Sequence, residues 1–178
     1  VSKYVIGTEG EVASVALFSQ VPMDQIEKVY LDYQSRTSVA LAKILFKQFW
    51  KKEVEFLNAT EGYINQIHGN TAGIIIGDRA LVNIDKFEHI YDLGLAWKAY
   101  SGLPFVFAAW VANKPIPLDF MEAFDAANGY GLSQLEDVIA LIPANEQVYD
   151  LHKYYTENIS YELTPEKKAG LDKFLEAL

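Results

Sequence analysis

A short apolar run, Val29 to Leu31, breaks off into Asp32-Tyr33-Gln34-Ser35-Arg36-Thr37-Ser38, and an amphipathic stretch follows with Leu41, Ile44, Leu45, Gln48 and Phe49 on one stripe. Apolar residues at i, i+3, i+4 and i+8 have the period of a helix, whereas the β-branched and aromatic run before them suits a strand. The polar cluster therefore falls at a strand-to-helix turn. Backbone N–H groups there have no helical partner, and the helix dipole favours an anion. Ser35 alone is explained by capping. Three hydroxyls and a guanidinium within the four residues Ser35, Arg36, Thr37 and Ser38 exceed what a cap needs, and point to a seat for an anion such as a carboxylate.

The helix is expected from about Ser35 to Lys51. Around it, Glu53 to Leu57 reads as a strand, Glu61 to His68 as a short helix, and Ala72 to Ile76 as a strand. That last run is uniformly apolar, as befits a strand buried on both faces. Strand and helix alternating in this way predict an α/β fold with a small parallel sheet and right-handed crossovers. Upstream, Lys3 to Gly7 and Val12 to Ser19 read as strands and Met23 to Lys28 as a helical turn. Downstream, His89 to Gly94 and Phe105 to Val111 read as strands separated by a turn at Ser101-Gly102-Leu103-Pro104. Pro117 to Asn128 and Ser133 to Ile142 read as helices interrupted at Gly129-Tyr130-Gly131. Asn145 to Thr156 reads as a further helix, Ile159 to Leu163 as a strand, and Pro165 to Leu178 as a terminal helix with proline in its first turn. The change of pattern suggests two lobes, with residues 20–82 inserted between 1–19 and 83–178.

The 178 residues, 51% of them hydrophobic, can build a real core. The net charge of −9 offers no basic stripe for phosphates, which excludes a nucleic-acid partner, and obliges any anionic ligand to be held by short-range donors. Without cysteines there is neither a disulfide nor a thiolate metal site. No apolar run approaches a membrane span and no leader pattern opens the chain, so a cytoplasmic protein without membrane partner is expected. His68, His89 and His152 are scattered, and no metal site is expected.

Other positions carry weaker signals. Gly77-Asp78-Arg79 follows the buried strand, at the carboxyl edge where α/β sheets bind ligands. Asp78 reads either as the ion-pair partner of Arg79 or as an acid facing a ligand. Ser14, inside an apolar run, must find a hydrogen bond to the backbone or to a ligand, the structural reading being favoured by the residues alone. The aromatic run Gly102 to Trp110 reads chiefly as packing, the alternative being that one of its aromatics walls a pocket for a ring-shaped ligand. Tyr154, Tyr155 and Tyr161 read chiefly as packing as well.

Taken in order, Gly10-Glu11-Val12-Ala13-Ser14-Val15, Leu31-Asp32-Tyr33-Gln34-Ser35-Arg36-Thr37-Ser38, Gly77-Asp78-Arg79-Ala80-Leu81, Tyr91-Asp92-Leu93-Gly94-Leu95-Ala96-Trp97 and Gly102-Leu103-Pro104-Phe105-Val106-Phe107-Ala108-Ala109-Trp110 resemble the chorismate dehydratases, which open the futalosine route to menaquinone. The resemblance runs from end to end. It implies the two-lobed fold of type 2 periplasmic solute-binding proteins, used inside the cell as a hydro-lyase that converts the dianion chorismate to 3-[(1-carboxyvinyl)oxy]benzoate without a cofactor. It implies Ser14 as a catalytic contact and makes the turn of Ser35, Thr37 and Ser38 a natural seat for one substrate carboxylate. Arg36, Gly77 and Asp78 are placed around the substrate by position only, the alternative for Arg36 being an interlobe salt bridge away from the pocket. The ring proton is expected to go to the substrate's own enolpyruvyl carboxylate. Family members carry a further upstream segment that this sequence does not contain, so the first part of one lobe is expected to be missing. Self-association is left open. The competing reading is a non-catalytic solute-binding protein for a small carboxylate. The sister enzyme acting on a cyclic futalosine derivative is disfavoured, because it has a histidine where this chain has Gly77-Asp78.

Overall fold

The computed structural model describes residues 1–143 and 147–178. Its strands, in chain order, are β1 (Tyr4–Thr8), β2 (Val15–Ser19), β3 (Lys28–Leu31), β4 (Glu55–Asn58), β5 (Thr71–Ile76), β6 (His89–Asp92), β7 (Phe105–Ala109) and β8 (Ser160–Glu162). Its α-helices are α1 (Arg36–Ile44), α2 (Asp78–Leu81), α3 (Leu93–Ser101), α4 (Leu118–Ser133), α5 (Leu135–Ala140), α6 (Leu151–Lys153) and α7 (Pro165–Glu176). They build a mixed α/β fold with two sheets.

The larger sheet has the order β4-β3-β5-β2-β6. β3 runs parallel to β4 and β5, as the alternation of strand and helix predicts, and β2 is antiparallel to β5 and β6. Every residue of β2 is buried, and so is the centre of β5. Alternate side chains explain this burial. Leu17 and Ile74 face a core shared with Leu41 and Leu45 of the α1 region and Trp97 of α3, while Phe18 and Ile75 face a second core with Tyr63, Ile67 and Ala80. The smaller sheet, β7-β1-β8, is antiparallel throughout. Edge-to-face contacts link its β7 to the helices around it. Phe105 lies 5.4 Å from Trp97 of α3 and 5.0 Å from Phe174 of α7, centroid to centroid.

The sheets do not divide at residues 20 and 82: Val15–Ser19 and His89–Asp92 are hydrogen-bonded into the larger one. Three local expectations also give way. The strand expected from His89 to Gly94 stops at Asp92, whose carboxylate accepts the Leu95 N–H at 2.9 Å and so starts α3, a helix not expected between that strand and the turn at Ser101. Gly129 to Gly131 do not interrupt α4. A Cβ at Gly129 would sit 2.8 Å from the Tyr4 hydroxyl, so this glycine serves packing rather than a break. The helix after Ser35 keeps α geometry only to Ile44, then widens into a π-type turn over Leu45–Phe49 in which the Trp50 N–H donates to the Leu45 carbonyl. Of the helix expected over 145–156, residues 145 and 146 lie outside the described residues, and α6 begins only at Leu151.

Ile74, fully buried in the central strand, is the sensitive position of this core. Ile74→Ala should cost about 2–5 kcal/mol, read from the urea midpoint. Tyr130→Ser, on the exposed side of α4, should stay within about 0.5 kcal/mol.

Candidate functional site

Parallel β3 and β5 leave the larger sheet at one edge, and antiparallel β2 enters from that same edge, with Val15 opposite Ile76 and Ala16 opposite Asp92. Ser14, the Ser35–Ser38 elbow, Gly77-Asp78 and Asp92 therefore share an edge.

Ser14 is 4% exposed and stands just ahead of β2 rather than inside it. The bend that presents it is strained, since Ala13 has φ 60°. Asp92 holds the bend in place: its Oδ2 accepts the N–H of Val12 at 3.0 Å and of Ala13 at 2.7 Å, while Oδ1 caps α3. Burial pushes the Asp92 carboxyl above its usual range, and these N–H groups pull it back. The Ser14 carbonyl accepts the Gly77 N–H at 2.7 Å, and the Ser14 hydroxyl accepts from the Tyr154 hydroxyl at 2.9 Å. Gly77 itself has φ 62° and ψ −148°, a region open in practice only to glycine, which turns the chain sharply from β5 into Asp78.

At the elbow, Ser35 caps α1. Its hydroxyl oxygen accepts the Ser38 N–H at 3.1 Å and donates to the Ser38 hydroxyl at 2.9 Å. Two of the three hydroxyls are thus engaged with each other, with Ser38 buried. Thr37 is half-buried and Arg36 exposed, and Arg36 forms no ion pair among the described residues.

The residue that anchors the elbow is Asp32. Its buried carboxylate accepts the Gln34 N–H at 2.7 Å, the Tyr63 hydroxyl at 2.8 Å and the Arg79 guanidinium at 2.7 Å. Arg79 also donates to the Gln34 side chain at 2.7 Å and lies over the Tyr33 ring. Arg79 therefore pairs with Asp32, and the ion-pair reading of Asp78 is set aside. Asp78 is exposed, and its charge acts on Tyr154. An aspartate two residues ahead of a turn amide is a local signal that could have found Asp32. No local signal marks Tyr154.

A 680 Å³ apolar cavity lies elsewhere, between the smaller sheet and α4–α5, where Ile6, Ala108, Trp110, Leu132 and Tyr161 line it. Trp110 of the aromatic run and Tyr161 wall it, but it holds none of the expected site residues Ser14, Ser35 to Ser38, Gly77 and Asp78 and offers few donors, so it does not suit a carboxylate. No group of three metal-ligating side chains occurs among the described residues.

A family model described as menaquinone biosynthesis matches residues 1–178. The chain is 29% identical over 203 aligned residues to a protein of Thermus thermophilus named chorismate dehydratase, covering 98% of this chain and 71% of that one. A crystal structure of a protein from Archaeoglobus fulgidus superposes with a TM-score of 0.62 at 12% identity, covering 99% of this chain and 69% of that one. At that identity the likeness concerns the fold alone.

Removing the anchor should loosen the elbow. Asp32→Ala removes the only charged partner of Arg79 among the described residues and the acceptor of the Gln34 N–H, leaving Arg79 with the Gln34 side chain and the Tyr63 hydroxyl with the Ile74 carbonyl. It should cost about 3 kcal/mol in chemical denaturation. Alkaline pH should weaken the fold as well. Burial pushes the Tyr161 hydroxyl from 10.0 up to about 12, and burial followed by the Asp32 contact raises Tyr63 further. Unfolded chains release these protons first, so stability should fall as the pH rises from 10 towards 12. Tyr161→Phe should flatten that decline.

Proposed function

The chain belongs to the menaquinone-biosynthesis family whose model spans it from Val1 to Leu178, and from that membership we propose that it dehydrates chorismate to 3-[(1-carboxyvinyl)oxy]benzoate. The observation that carries the reading is the meeting of Ser14, Gly77-Asp78 and the Ser35–Ser38 elbow at one sheet edge. β2 and β3 are separated there by β5 alone, roughly 10 Å between strand axes. A six-membered ring with one carboxylate on the ring and a second on its enolpyruvyl ether arm can reach across such a distance.

The reaction removes a ring proton and a hydroxyl as water, and no electrons are exchanged. The ring becomes aromatic, so the driving force lies in the substrate and the protein has to position it and shape its charge. With a net charge of −9, this chain must hold a dianion by contact. The first-turn N–H groups of Arg36 and Thr37, the Thr37 hydroxyl and the positive end of the α1 dipole offer a seat for one carboxylate, with the Arg36 guanidinium beside it. Gly77 and Asp78 wall the same edge. Ser14 orients the enolpyruvyl carboxylate as it takes the ring proton, or assists the departing hydroxyl.

The finer setting is part of the same proposal. The larger sheet with its helices is one lobe and the smaller sheet with α4 to α7 the other, in the manner of type 2 periplasmic-binding proteins. The enzyme acts in the cytoplasm, at the opening of the futalosine route. No described helix is long and apolar enough to cross a membrane.

Incubation with chorismate, followed by loss of substrate and appearance of the benzoate, tests the reading. Tight binding without product would instead favour a solute-binding protein. Ser14→Ala should lower kcat about 100-fold at nearly constant KM. Thr37→Val should raise KM about tenfold and leave kcat in place. An unchanged KM would remove Thr37 from the carboxylate seat.

A further inference from the structure

Tyr154 lies 140 positions from Ser14 in the chain, yet its hydroxyl donates to the Ser14 hydroxyl oxygen at 2.9 Å. Several contacts bring it there. Asp150 caps α6 by accepting the Lys153 N–H at 2.9 Å, and the Tyr154 N–H donates to the Asp150 carbonyl at 2.9 Å. The Tyr154 ring packs edge-to-face on Tyr155 and Tyr149. The segment is then tied to the turn that leads into Ser14. Buried Asn158 donates to the Glu11 carboxylate at 3.2 Å, and Lys153 pairs with that carboxylate at 3.5 Å. Tyr154 and Ser14 are therefore positioned from a common turn.

A serine hydroxyl has one proton and two lone pairs. The side chain of Ser14 makes no other hydrogen bond among the described residues. With one lone pair occupied by Tyr154, its proton is free for another acceptor. Burial raises the Tyr154 hydroxyl, against a smaller opposite effect of the Ser14 contact, so the phenol stays protonated and able to donate.

We propose that Tyr154 is a positioning residue, whose hydroxyl donates to Ser14 and thereby commits the Ser14 proton to the substrate carboxylate or the departing hydroxyl. This rests on the dehydratase reading of Ser14. The test uses the full chain with chorismate and compares Tyr154→Phe, Ser14→Ala, the double variant and a packing control, Tyr155→Phe. Tyr154→Phe should lower kcat about tenfold with KM and melting temperature unchanged, and the control should keep the parent rate. The double variant should be no slower than Ser14→Ala, because the tyrosine acts only through the serine. A Tyr154→Phe rate equal to the parent while Ser14→Ala is slow overturns the positioning role and leaves the dehydratase reading standing. Additive losses in the double variant overturn it in the same way. A Ser14→Ala rate equal to the parent, or a parent chain that forms no benzoate, overturns both.

Discussion

The pairing of β2 with β5 governs the rest. Val15 faces Ile76 across an antiparallel ladder, so the bend before β2 and the turn after β5 are neighbours, and Ser14 is hydrogen-bonded to Gly77 through the backbone. A slip of one residue would exchange the two faces of β2, driving Leu17 and Phe18 into each other's cores. The register is thus set by apolar packing, and the polar edge inherits its geometry from it.

Two carboxylates, buried Asp32 and half-buried Asp92, then stiffen that edge. Asp92 takes the amides of the 12–14 bend and of α3, and Asp32 takes Gln34, Tyr63 and Arg79. Each has its negative charge answered by donors of the chain itself. This matters in a protein of net charge −9, because an unanswered carboxylate at the edge would repel an anionic ligand. The acids nearest the candidate seat act as anchors, and the amides and hydroxyls around them remain for a substrate. Asp78, exposed beside Tyr154, is the exception and the acid most open to a ligand.

What could be read from the sequence was local. The strand ending at Leu31, the Ser35 cap and the doubly buried run to Ile76 follow from periodicity and side-chain chemistry over a few residues. The membership of β2 and β6 in the larger sheet was not legible, because antiparallel partners far apart in sequence leave no periodic trace. α3 was hidden by the apolar run from Leu93 to Trp97, which strands and buried helices share. Its cap, Asp92, also serves the Val12-Ala13 bend, a role that no local pattern reveals. The pairing of Arg79 with Asp32 rather than adjacent Asp78 required knowing that β3 and β5 end side by side. The sequence marks Tyr154 only as a packing residue, and its ring does pack, while its hydroxyl donates to Ser14 from 140 positions away.

The most direct measurement is a crystal structure of this chain with 3-[(1-carboxyvinyl)oxy]benzoate bound. The account predicts one carboxylate against the first turn of α1 at Thr37 and the ligand within hydrogen-bond distance of the Ser14 hydroxyl, at the edge where β2, β3 and β5 meet. A ligand seated instead in the apolar cavity between the smaller sheet and α4–α5, with Ser14 and Thr37 untouched, would contradict it.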